Sequence, residues 1–267
     1  MAFIRSGMGG QLVVVGMLLG LIGLAMPGAA VAAPTVTIRG EAVPIPGFPH
    51  TGNYFGAGAA VHAEVAISGV EYGGFPPPLI GINVYLPTGV KLHPQGFVTC
   101  PAKTIIEEAE PERCPKGSAA GPIGKAYGVV SFGEERVHET VELLSFFAPG
   151  GGFEFFARGR TPVSLEIPTT ATLVHPNGSG GFGPEFIGQI PLVATVPGAP
   201  YASVEKIEIT LGSAYRKHGK PVYYGTVPKT CPSGGFRVKA EFLFAEAGNI
   251  AAPETVTVPF RAPCPKK

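Results

Sequence analysis

The sequence predicts an all-β protein: an immunoglobulin-like or related β-sandwich with one short helix and two disulfides. Three observations carry this. Gly (39) and Pro (29) recur through a 267-residue chain that is 45% hydrophobic and only 15% charged, so it should collapse around a core and turn often. Apolar and polar residues alternate in many short runs, the mark of half-buried strands. The four cysteines, Cys100, Cys114, Cys231 and Cys264, each precede proline and are spaced as two staples.

The first element is an export signal. Arg5 is the only charge before Arg39, residues 12–26 are apolar apart from three glycines, and Ala30 and Ala32 fit the small positions before a cleavage site between Ala32 and Ala33. The apolar run is shorter than the roughly 20 residues that span hydrocarbon, and Pro27 ends it. Residues 1–32 therefore read as a signal peptide. Residues 33–267 read as a secreted β-sandwich domain, with two sub-domains dividing near residue 150 as the alternative. The expected location is extracellular, or loosely at the cell surface, without membrane insertion after cleavage.

Strands follow in order. Alternation or β-rich composition marks Thr35–Val43, Val61–Ile67 and Leu79–Leu86, with Pro76–Pro78 in a turn between the last two. Further strands are expected over 126–132, 137–148, 153–158, 163–174, 186–196, 204–211, 222–227, 236–246 and 255–260. The segment "FRVKAEFLFAE" alternates most clearly, with Phe236, Val238, Ala240, Phe242 and Phe244 on one face and Arg237, Lys239 and Glu241 on the other.

The one helical candidate lies between the first two cysteines. Pro101 suits a first helical position. Ala102, Ile105, Ile106 and Ala109 form an apolar face, and Pro111 stops the run. A continuous helix over 14 steps would hold Cys100 and Cys114 about 21 Å apart, too far for a disulfide. A bond here requires a short helix, with "EPER" turning the chain back. No C-x₂₋₄-C knuckle or C-x-x-C redox pair occurs. An even cysteine count in an exported chain favours disulfides. Of three possible pairings, sequence proximity favours Cys100–Cys114 with Cys231–Cys264.

Composition excludes several functions. Without Arg5 the basic residues fall from 20 to 19 and equal the acidic ones. A neutral chain lacks the positive charge that nucleic-acid binding and electrostatic membrane docking require. Every acidic residue is Glu, which rules out Asp-built calcium loops and Ser-His-Asp triads. No Trp is present as a sugar-stacking platform. The six histidines form no H-x-H or H-E-x-x-H pair, and "GSGGFG" (178–183) precedes a proline and a strand where a dinucleotide site needs a helix. No catalytic residue, metal ligand or cofactor is assigned. The acidic run "EEAEPE" (107–112) reads as a solvated face, and Asn177-Gly178-Ser179 is a formal glycosylation sequon. The candidate ligand contacts are Tyr215, Arg216, His218, Tyr223 and Tyr224, a basic hairpin tip flanked by tyrosines and suited to an anionic glycan or peptide.

The segments "GINVYLPTGVKLHPQGFVTCP", "RCPKGSAAGPIGKAYG" and "KTCPSGGFRVKAEFLFAEAG", with a terminal "PCP", span most of Leu79–Cys264. They resemble a family of secreted all-β proteins of GC-rich, Gram-positive-type bacteria to which no activity is assigned. The resemblance implies export and a stapled β fold, and carries over no catalytic residue. The expected function is an extracellular or cell-surface interaction or structural module. Its expected partners are cell-wall glycan, a surface protein or a second copy of itself. The alternative is a glycoside-type hydrolase whose Glu carboxyls meet only in the fold, about 5–9.5 Å apart.

Overall fold

Eleven strands pair edge to edge in one antiparallel sheet in the computed structural model, which describes residues 33–48, 57–133, 135–174, 179–246 and 249–264. The predicted export signal with Ala32, the loop at His50, and Asn177 and Gly178 of the sequon lie outside the described residues. The strands are β1 (Thr35–Val43), β2 (Ala60–Ser68), β3 (Leu79–Pro87), β4 (Lys91–Leu92), β5 (Gly124–Phe132), β6 (Glu135–Phe147), β7 (Phe153–Gly159), β8 (Leu165–Val174), β9 (Phe182–Gln189), β10 (Ser203–Leu211), β11 (Ala214–Lys217), β12 (Lys220–Tyr223), β13 (Gly225–Thr226), β14 (Phe236–Glu246) and β15 (Asn249–Ala262). Their order in the large sheet is β1-β2-β10-β5-β6-β7-β8-β9-β3-β14-β15. Strands β6 and β7, which flank residue 150, are direct neighbours in it.

The fold is all-β with two disulfides, as the sequence predicts. The sheet is continuous and curls until its two edges almost meet, a nearly closed barrel. A Cβ placed on Gly40 of β1 would lie 3.2 Å from the ring of Phe260 in β15, so a glycine is what lets the edges approach. Closure on this scale answers the hazard of unpaired sheet edges. The inward faces follow the predicted alternation. Val65 of β2 faces Ile38 and Ile207, and Ala240 and Phe242 of β14 face Val84 and Ile82. The outward face carries Arg237, Lys239 and Glu241.

The segment between the first two cysteines is a clasp on the outside of β6 and β7. Its helical part is a single wide turn, Lys103–Glu107, followed by a 3₁₀ turn, Pro111–Arg113. The chain therefore doubles back, and the Cα atoms of Cys100 and Cys114 are 5.0 Å apart in their disulfide. The expected four-residue apolar face does not form. Ile105 is fully buried with Ala109 beside it, whereas Ile106 is 47% exposed, because a wide turn does not keep the α-helical spacing. Ile105 and Cys100 cover Phe146 and Phe156, two outward rings of the sheet. Backbone bonds from Cys100 N–H to Phe147 O and from Phe147 N–H to Ser118 O, both 2.8 Å, fix the clasp's two ends. The second disulfide joins Cys231 before β14 to Cys264 after β15, with Cα atoms 6.1 Å apart.

Candidate ligand-binding lumen

Barrel size sets what the interior can be. Eight strands leave room for filling side chains or for one small ligand, and the diameter grows with strand number. Here eleven strands surround a cavity of about 450 Å³, within the roughly 300–1,000 Å³ range of small-molecule sites. Its wall is aliphatic and aromatic, including Ile82 and Val84 of β3, Leu143 of β6, Phe155 of β7, and Ile207 and Ile209 of β10. Small residues, among them Ala63, Ala126 and Ala157, sit in the same inward phase and leave the space unfilled. Ile82, Val84, Ile207 and Ile209 are only half-buried although they point inward, so their remaining accessible surface faces the lumen.

Two apolar clusters bound the strands' ends. At one end Phe97, Phe147, Phe153, Phe186 and Tyr224 pack together. Ring centroids lie 4.6 Å apart for Phe147–Tyr224 and 5.0 Å for Phe153–Phe186, within the favourable range for aromatic pairs. The Tyr224 hydroxyl donates to the Gly151 carbonyl, and burial pushes its pKa well above the ordinary tyrosine value. At the other end Val36, Ile67, Leu79, Phe242 and Phe244 form a second cluster.

The predicted ligand contacts divide between structure and surface. The basic stretch is a hairpin, β11–β12, turning at His218 and Gly219 with φ of +51° and +77°, the left-handed pair that a tight two-residue turn needs. Tyr224 belongs to the interior cluster. The Tyr215 ring stands edge-on to Phe97 at 5.0 Å, and its hydroxyl donates to Gln95 O. Tyr223 stands edge-on to Phe48 and lies over Gly58, where any Cβ would overlap its ring. Arg216 stacks on Phe48 at 5.3 Å. Tyr224 is thus buried and Tyr215 and Tyr223 half-buried, and the exposed stretch runs from Arg216 to Pro221 and includes Lys217, His218 and Lys220.

Compared with protein-family models, with curated proteins and with solved structures, the chain matches none.

Several charged groups elsewhere are paired. Within the acidic run, Glu108 and Glu110 bind Arg113, and Glu112 binds Arg158, which also holds Glu142 of β6. His62 shares a hydrogen bond with Thr210, and His138 with Glu205. Among the described residues no group of three or more His, Cys, Asp or Glu is arranged to hold a metal ion. Among the described residues two carboxyls are deeply buried, Glu139 at 3% and Glu154 at 2% exposure. Glu139 has the inward parity of Val141 and Leu143 and lines the lumen. Glu154 has the outward parity of Phe156, opposite Phe146. Burial pushes the Glu154 pKa up, partly offset by the hydrogen bond it accepts from Thr170 at 2.7 Å. The two lie on opposite faces of the sheet and do not form a carboxyl pair across one pocket.

The lumen and Glu139 are absent from the sequence reading. A signal for Glu139 exists, because it falls in the apolar phase of "VHETVELL" between Val137 and Val141. The neighbouring glutamates at 135 and 142 hide that phase.

Proposed function

We propose that this protein is an exported binding protein that carries an apolar small molecule inside its barrel. The observation that carries this reading is the unfilled lumen of about 450 Å³ with an aliphatic and aromatic wall. A protein interior is ordinarily packed to crystal density, so space on this scale forfeits packing energy unless a guest occupies it. The charged outward face of β14 supports a barrel that works in water, since a membrane barrel turns apolar residues outward. The two disulfides suit an oxidising compartment, in line with the export signal.

Titration with N-phenylnaphthylamine, which fluoresces in apolar sites, tests the reading. The oxidised protein should bind the dye saturably with one-to-one stoichiometry. Ala126→Phe places a ring into the lumen and should weaken dye binding about tenfold or more while the protein still melts cooperatively. Non-saturable binding, or unchanged affinity in a folded Ala126→Phe protein, would overturn it.

A further inference from the structure

Among the polar side chains on the cavity wall, Glu139 is a buried carboxyl with an unmatched oxygen. Glu139 lines the lumen and is 3% exposed. Its Oε2 accepts a hydrogen bond from the Val163 backbone N–H at 3.1 Å, while its Oε1 has no hydrogen-bond partner. A buried carboxyl oxygen left unmatched destabilises the fold. Ser203, which also lines the cavity, accepts a hydrogen bond at its Oγ from Arg136 at 3.2 Å.

The neighbouring strand is shaped around this group. Gly159 ends β7 on the inward side, and a Cβ there would stand 3.0 Å from Glu139 Oε1 and 3.1 Å from Val141 Cγ1. Glycine in a strand often marks a close approach. An unmatched carboxyl and a glycine whose Cβ would crowd it therefore meet at one place on the cavity wall. Local rules are broken in this way mainly where function requires it.

We infer that Glu139 is the polar anchor of the lumen and selects a ligand with a long apolar body ending in a hydrogen-bond donor, a hydroxyl or an amine. The inference rests on the lumen being a binding site. A small turn of the carboxyl about its Cγ–Cδ bond lets Oε1 accept from such a headgroup, while the apolar body lies along Ile82, Val84 and Ile207. A carboxylate headgroup offers no donor and is excluded.

Displacement of N-phenylnaphthylamine by dodecanol, dodecylamine, dodecanoic acid and dodecane, matched in chain length, tests this on the oxidised protein. Dodecanol and dodecylamine should compete about tenfold better than the acid or the alkane. Glu139→Met, apolar and similar in length, should remove that preference, read as the ratio of dodecanol to dodecane competition within each protein, while dodecane still displaces the dye. Gly159→Ala should weaken the preference by displacing the carboxyl, and supplies the same test if Glu139→Met does not fold. Equal competition by all four compounds, stronger competition by the acid, or a preference that survives these substitutions would overturn the anchor and leave the lumen reading standing. Failure of the dye and of every competitor to bind would overturn the lumen reading itself.

Discussion

Removing the Cys100–Cys114 disulfide by Cys100→Ala with Cys114→Ala should destabilise the protein by at least about 3 kcal/mol. The bond closes a loop whose ends are 14 residues apart, and a closed loop of about 15 residues costs the unfolded chain roughly 3 kcal/mol of entropy. The native state adds to this. Ile105, held between the two cysteines, is fully buried over Phe146 and Phe156. If the clasp lifts, each large side chain it uncovers adds about 1.5–3 kcal/mol. A domain of 150–250 residues loses about 2–4 °C per kcal/mol, so the melting temperature should fall by about 6–12 °C with the clasp seated and further with it detached. Urea unfolding followed by circular dichroism separates the two cases. With the clasp seated, the slope should rise slightly, because the unfolded chain without its cross-link is more open, whereas a detached clasp reduces the surface exposed on unfolding and lowers the slope. The loop between Cys231 and Cys264 is longer, with a separation of 33. Its loss should therefore cost nearly 4 kcal/mol by the same entropy, and more if Cys264 withdraws from the buried Phe236 it packs against. A loss below about 1 kcal/mol for the Cys100–Cys114 variant would refute the view that this clasp is a stabilising staple.

Two further outcomes follow from buried polar groups. Tyr224→Phe removes the hydroxyl that satisfies Gly151 O inside the aromatic cluster. It should cost about 1–3 kcal/mol by urea titration, the penalty for one unmatched buried group, and an unchanged midpoint would contradict that hydrogen bond. Glu154 is buried and its folded pKa lies above its unfolded one, so the folded state takes up the proton more readily. Its contribution to stability should therefore rise as pH falls through the region just above the ordinary carboxylate range. Glu154→Gln should raise the melting temperature at neutral pH and flatten its pH dependence there. Superimposable profiles for the two proteins would show that Glu154 does not titrate as its burial requires.

Local rules made most of the strands legible. Period-two alternation is a property of the backbone itself, and the expected bounds for Thr35–Val43 and Phe236–Glu246 coincide with β1 and β14. Where the pattern is short or interrupted, legibility fails. The two-residue β4 and β13 carry no period, and β9 runs from Phe182 to Gln189, starting four residues before the expected Phe186, because its glycines and Pro184 mask the strand. The helical turn also departs from its pattern. Ile105 and Ile106 both fit an apolar helical face, but a disulfide with Cα atoms 5.0 Å apart leaves room for one wide turn, and only Ile105 reaches the sheet.

By itself the sequence determined what depends on neighbours along the chain. That covers the all-β class, most strand positions and their faces, the hairpin at His218-Gly219, and a disulfide pairing that follows proximity. Tertiary structure alone decided what depends on the sum over strands. Strand β10 lies between β2 and β5, and β3 between β9 and β14, pairings set by contacts between residues far apart in the chain, such as Ser203 with Val129 and Lys206 with Ala66. Eleven strands must curl together before β1 meets β15, and only then do small residues such as Ala63, Ala126 and Ala157 leave a common space. Each of these alanines reads locally as an ordinary strand position. The buried carboxyl of Glu139 likewise acquires its meaning only when closure places an apolar wall around it.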